Sequence, residues 1–150
     1  MTQTSYDTDF YQWTQAQAEA LRAKDWPALD VANLAEEIES LGKSDRRAVQ
    51  SHLVVLVEHL LKWACQPQER ARRGAGWQDS IDEARRQLEL ILRDSPSLRR
   101  ELSDFLAWAY PHARRKAARE SRLPLATFPE ACSWTPDQLQ DEEFLPENMP

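Results

Sequence analysis

The side chains best placed to do chemistry are two acids and two imidazoles, Asp30, Glu37, His52 and His59. At 3.6 residues per turn, Asp30 and Glu37 share one flank of an apolar stripe made by Leu34, Ile38 and Leu41. His52 and His59, with Gln66, form a heptad-spaced row beside Leu56 and Trp63. Gly42-Lys43 between the two stretches reads as a short turn, which predicts an antiparallel helical hairpin. Reflection about that turn places Glu37 near His52 and Asp30 near His59. Two imidazoles and two carboxylates facing each other could hold a divalent metal ion, and one Glu–His pair could serve as a general base. The competing reading is structural: each carboxylate orients a half-buried imidazole and satisfies its N–H. It is favoured because the Glu-x-x-His ligand pattern of di-metal bundles is missing, and because adjacent Glu58 and His59 point about 100° apart on a helix. No catalytic residue and no cofactor is assigned.

A second candidate is basic. Arg114, Arg115, Lys116, Arg119 and Arg122 crowd one late helix, and Arg70, Arg72, Arg73, Arg99 and Arg100 precede them. Clustered cations of this kind suit phosphate binding. Residues 70–122 carry 13 basic and 8 acidic side chains, against 6 basic and 11 acidic in residues 1–69. Residues 123–150 carry 6 acidic side chains and no basic one, and the whole chain has a net charge of -6. Nucleic acid is therefore a disfavoured partner. The economical expectation is that Asp137, Asp141, Glu142, Glu143 and Glu147 fold back over the arginine-rich face. Glu36 and Glu39 read as a solvated face, not a metal box. There is no phosphate-cradling Gly-rich loop, no nucleophile elbow and no Cys-x-x-Cys pair. Cys65 reads as a buried spectator thiol, and Cys132 lies in the late proline-rich stretch.

Helices must position these residues. Ala, Leu, Arg, Glu and Gln dominate, while Gly occurs only three times, too few for a domain of many tight turns. Helix one is expected from about Asp7 to Lys24, capped by Asp7 or Thr8, and helix two from about Leu29 to Leu41 with Gly42 as a left-handed cap. Helix three is expected from an N-cap at Ser44 to about Gln66, apolar nearly all round and hence central. A loop is expected over 67–76, then helix four from about Trp77 to Arg93 with Trp77, Ile81, Ala84, Leu88, Ile91 and Leu92 as its stripe. Helix five begins near Ser97, and Pro111 either kinks it or starts a separate helix. Past Leu123, Pro124, Pro129, Pro136 and Pro146 punctuate a segment holding Leu125, Phe128, Trp134, Leu139 and Phe144, which predicts an extended arm packed on the bundle. Thr135-Pro136-Asp137 is placed to open one short helical turn.

The predicted class is all-α: a single domain over 1–150, with a bundle of five or six helices over about 7–121, a central helix at about 44–66 and a mostly non-helical arm over about 122–150. The longest apolar run, Leu53 to Val57, is far short of the roughly 20 residues of a membrane span. Met1 to Phe10 has none of the basic-then-apolar order of a secretory leader. No membrane partner and a cytoplasmic location are expected.

These residues resemble the bacterial family known as domain of unknown function 29, widespread in cyanobacteria and proteobacteria. The resemblance covers about Tyr6 to Pro146 and rests on Tyr6-Asp7-Thr8-Asp9-Phe10 with Trp13, then Asn33-Leu34-Ala35-Glu36-Glu37-Ile38-Glu39-Ser40-Leu41-Gly42. It continues in His59-Leu60-Leu61-Lys62-Trp63, Gln66-Pro67, Trp77 with Ile81 and Arg85, Ser95-Pro96-Ser97-Leu98, Phe128-Pro129 and Phe144-Leu145-Pro146. Pro111 and the Gly-Ala-Gly before Trp77 depart from the pattern. The resemblance implies a small helical protein and no activity. It singles out Glu37, His59, Lys62, Trp77 and Arg85 as motif positions, and for the polar ones a buried Glu–Arg or Glu–Lys pair linking helices would suffice as the explanation. Three readings follow: a non-enzymatic interaction or regulatory module with a protein partner or a second copy, a metal or acid/base site, and a nucleic-acid or toxin–antitoxin-type regulator.

Overall fold

The computed structural model describes residues 4–147, and within them it is all helical, with six α-helices and no strand. The last three residues of the expected arm lie outside the described ones. The helices are α1 (Thr4–Thr8), α2 (Phe10–Ala23), α3 (Val31–Cys65), α4 (Arg70–Asp94), α5 (Leu102–Ser121) and α6 (Pro136–Gln140). The chain divides into two compact units, residues 1–44 and 45–150.

In the first unit, the expected first helix is split. Asp9, not Asp7 or Thr8, caps α2: its carboxylate accepts from the Gln12 N–H at 3.0 Å. Lys24 ends α2 in the left-handed region, at φ 57°, and its N–H returns to the last turn.

The largest correction concerns the expected hairpin. There is no turn at Gly42-Lys43: the two helices predicted over 29–41 and 44–66 are one helix of 35 residues. Gly42 has no positive φ, and a Cβ built there would meet nothing within 4 Å. The physical reason is a balance of small terms. A glycine inside a helix costs about 1 kcal/mol. Ending one helix and starting another would orphan four C=O and four N–H groups. The expected buried stripe of the first half is also corrected: Leu34 is half-buried, and Ile38 and Leu41 are 66% and 69% exposed.

In the second unit, the expectation of a central helix holds for the latter half of α3. Val49, Leu56, Val57, Leu60 and Leu61 are wholly buried in one core with Ile81 and Leu92 of α4, Ala109 and Ala113 of α5, and Phe128 and Leu139 of the arm. The loop expected over 67–76 is instead a single 3-10 turn followed by α4 from Arg70. Gly74 is inside that helix because the Trp63 ring lies 3.3 Å from where its Cβ would be, so its role is close approach and not a turn. Arg70 lies across the same ring, 4.9 Å from its centroid, and its Nε donates to the Trp63 carbonyl at 2.8 Å. Pro111 neither breaks α5 nor starts a new helix. The carbonyl it leaves without an N–H belongs to Ala107, and both residues are exposed, so water can satisfy it. Phe128, Trp134 and Leu139 of the arm are buried in the core, and its α-helix, α6, opens on a capping box at Thr135 and Gln138.

Candidate functional site

The continuous α3 decides the fate of the acid–imidazole cluster. Glu37 and His52 lie fifteen positions apart on a single helix, and the reflection that was to join them requires a turn that is not there. Each residue has other work. Asp30 is the polar knot of the first unit. It accepts from Trp13 Nε1 at 3.1 Å and Asn33 Nδ2 at 2.8 Å, while its own N–H donates to Gln17 Oε1 at 2.7 Å. The hydrogen bond from the Asn33 amide, above all, holds its carboxyl below the usual range; burial opposes this, and the Trp13 N–H adds to the lowering. Glu37 accepts from the Tyr6 hydroxyl at 2.5 Å, which pushes that phenol up to about 12.

The two histidines belong to the second unit. His59 Nδ1 donates to the Val55 carbonyl at 2.7 Å, one helical turn back. A carbonyl only accepts, so the proton is on Nδ1. His52 is partly buried in a groove with Asp79 and Glu83. Burial lowers its pKa below the usual 6.5, and the Glu83 carboxylate opposes that shift. Among the described residues, no group of three or more His, Cys, Asp or Glu side chains is placed to hold a metal ion.

Of the motif positions of the second unit, Lys62, Trp77 and Arg85 are buried, while His59 is half-buried. Lys62 is buried and donates to Glu58 at 2.8 Å, one turn back, and to Glu120 of α5 at 3.2 Å. Glu58 is 1% exposed; its other oxygen, Oε1, has no hydrogen bond and only the Lys116 ammonium at 3.4 Å. Sequence reading missed this four-charge network, although the i, i+4 spacing of Glu58 and Lys62 inside an apolar run was its signal. Arg85 is buried and donates to the Leu139 carbonyl at 2.8 Å, tying the arm to α4. Trp77 is buried in α4.

The basic run is divided in the same way. Arg114 donates to the Phe128 carbonyl, Lys116 faces Glu58, and Arg115 contacts His112. Arg119 and Arg122 have no ion-pair partner among the described residues. The expected cover by the acidic arm is corrected: Asp141 and Glu142 act on Arg85, and Gln140 accepts from Arg99 at 2.6 Å. Arg122 instead borders an open polar cleft of about 530 Å³ shared with Gln66, Arg72, Arg73, Glu120 and Ser121.

Ile38 and Leu41, expected in a buried stripe, belong instead to a set of exposed apolar side chains. Of the nine large apolar side chains exposed among the described residues, seven lie in the first unit: Phe10, Tyr11, Leu21, Trp26, Val31, Ile38 and Leu41. Val31, Ile38 and Leu41 fall within about 80° of one another around α3, with half-buried Leu34 among them, so they form one largely bare stripe. Singly exposed apolar residues are ordinary, but a contiguous set is not.

Neither a curated protein nor a solved structure matches the chain. The family model described as domain of unknown function DUF29 matches residues 5–145, nearly the whole length, and the chain belongs to that family.

Proposed function

We propose that the protein is a non-enzymatic interaction module, and that the bare stripe Val31–Ile38–Leu41 is its docking face. The observation that carries this reading is the concentration of exposed apolar side chains in the first unit, three of them on α3, whose later apolar stripe is buried. Water contact at these side chains costs free energy in proportion to area, about 25 cal/mol per Å². A partner surface that covers them recovers that term.

The charge of the unit selects the partner. Residues 1–44 carry eight acidic and three basic side chains. Glu37 flanks the stripe. A second copy presenting the same face would bring like charges together. The fitting occupant is a protein segment with apolar side chains set among Lys and Arg, which covers the amphipathic helix face.

A photo-cross-linking residue at position 38, in cells that make the protein, tests this. The expected product is one discrete heterologous species, trapped on a basic apolar segment identified by mass spectrometry. Its yield should fall when Val31 and Leu41 are both changed to Ser. A trapped species of twice the chain mass would reassign the face to self-association. Absence of any product that depends on Val31 and Leu41 would end the module reading.

A further inference from the structure

We infer that the cleft between the start of α4 and the end of α5 is a binding site for a small polyanion of phosphate type, with Arg122 as its principal anchor. The site lies wholly in the second unit and does not depend on the docking face.

The cleft's carboxylates are already matched. Glu120 accepts from Lys62 at 3.2 Å, and Glu69 accepts from Arg72 at 2.7 Å with Arg73 at 3.4 Å. Arg122 lines the same cleft with no counter-ion among the described residues. The lining therefore carries three guanidinium groups against two carboxylates, with the Lys62 ammonium behind. Guanidinium forks match phosphate oxygens two at a time, and a concave wall raises the local field felt by an anion. The pairs of Arg72 and Arg73 with Glu69 are mostly exposed, span one helical turn and are weak, so an incoming anion can displace them.

Neutral donors complete the wall. Gln66 is 6% exposed, and its Nε2 donates to Ser121 Oγ at 2.7 Å. That bond uses a lone pair of Ser121 and leaves the hydroxyl proton free to donate to a ligand. At about 530 Å³ the cleft exceeds what one phosphate fills and suits two linked phosphates or a phosphorylated small molecule.

The backbone holds Arg122 in place. It caps α5 in the left-handed region, at φ 57° and ψ 38°, where glycine is the unstrained residue. This makes a variant with two effects of opposite sign. Arg122→Gly relieves the backbone and removes the guanidinium together. Lys24, at the same φ in the same kind of cap at the end of α2, supplies the control.

The probe is pyrophosphate, titrated calorimetrically and by thermal shift at constant ionic strength, with sulfate and a short single-stranded oligonucleotide in parallel. Wild type and Lys24→Gly should bind pyrophosphate alike. Arg122→Gly should melt higher than wild type without ligand, yet bind at least about tenfold more weakly, the usual worth of a charge-assisted contact. Ser121→Ala should weaken binding by a smaller factor without raising the melting point. Unchanged affinity in Arg122→Gly overturns the assignment, as does the absence of any pyrophosphate response at millimolar concentration. Tight oligonucleotide binding that pyrophosphate cannot displace also overturns it, in favour of a nucleic-acid surface.

Discussion

The two halves of α3 have the same helical phase and opposite surroundings. Val49, Leu53, Leu56 and Leu60 continue the angular stripe begun by Val31, Ile38 and Leu41. The later residues are 0–2% exposed, and the earlier ones are about two-thirds exposed. Hydrophobic periodicity therefore reports that a helix forms and which side is apolar. It does not report whether anything covers that side. In the second unit, α4, α5 and the arm supply the cover; in the first, no described element covers Val31, Ile38 or Leu41.

The comparison breaks or sharpens under substitution. Leu56→Ala should cost about 3–4 kcal/mol in urea unfolding, because a wholly buried leucine leaves a cavity. Ile38→Ala on the bare half should cost no more than about 0.5 kcal/mol. Similar costs at the two positions would mean that the stripe is covered after all.

Lys62→Met should cost about 3 kcal/mol, because it leaves Glu58 charged in the core with only Lys116 to answer it. Replacing both partners, Glu58→Leu with Lys62→Met, should recover most of that loss, which a double-mutant cycle measures. Failure to recover would show that Glu120 and Lys116 carry the network without the pair.

Gly42→Ala addresses the junction itself. In a continuous helix with open space around the position, alanine should stabilise by about 0.5–1 kcal/mol. At a left-handed cap, the same change would destabilise. The sign of the shift in thermal midpoint separates the two.

The smallest effect is that of pH on His52. Its folded pKa lies below 6.5, so the unfolded chain binds the proton first. The contribution of neutral His52 is complete above about pH 6.5 and declines as pH falls through 6.5 to the folded value, then levels off. An NMR titration should place the imidazole midpoint below 6.5. Glu83→Gln should lower it further, since that carboxylate favours the charged ring. A midpoint that rises in the variant would contradict the assigned cause.

Much of the fold was legible because its signals are local. The stripes of α4 and α5, the stop at Pro67 and the Thr135-Pro136 helix start depend on spacing and on backbone chemistry within a turn or two. The missed features depend on competition between distant terms. Gly42-Lys43-Ser44 has the chemistry of a cap followed by an N-cap, yet helix continuity outweighs one glycine. Gly74 looks like loop punctuation, yet it is the space needed by a Trp63 ring eleven residues away. The acid–imidazole cluster failed with the hairpin, since four correctly typed side chains converge only if the chain turns back. Glu58–Lys62–Glu120–Lys116 was missed for the converse reason: half of it lies on α5, brought there by packing.

By itself, the order of residues determined that this chain is helical, where its apolar faces lie and which blocks carry its charge, because those follow from a 3.6-residue period and from counting ions. Tertiary structure alone decided which faces are covered and which charges meet. Burial depends on elements far apart in the chain, and a side chain's partner is whatever the fold places within about 3 Å.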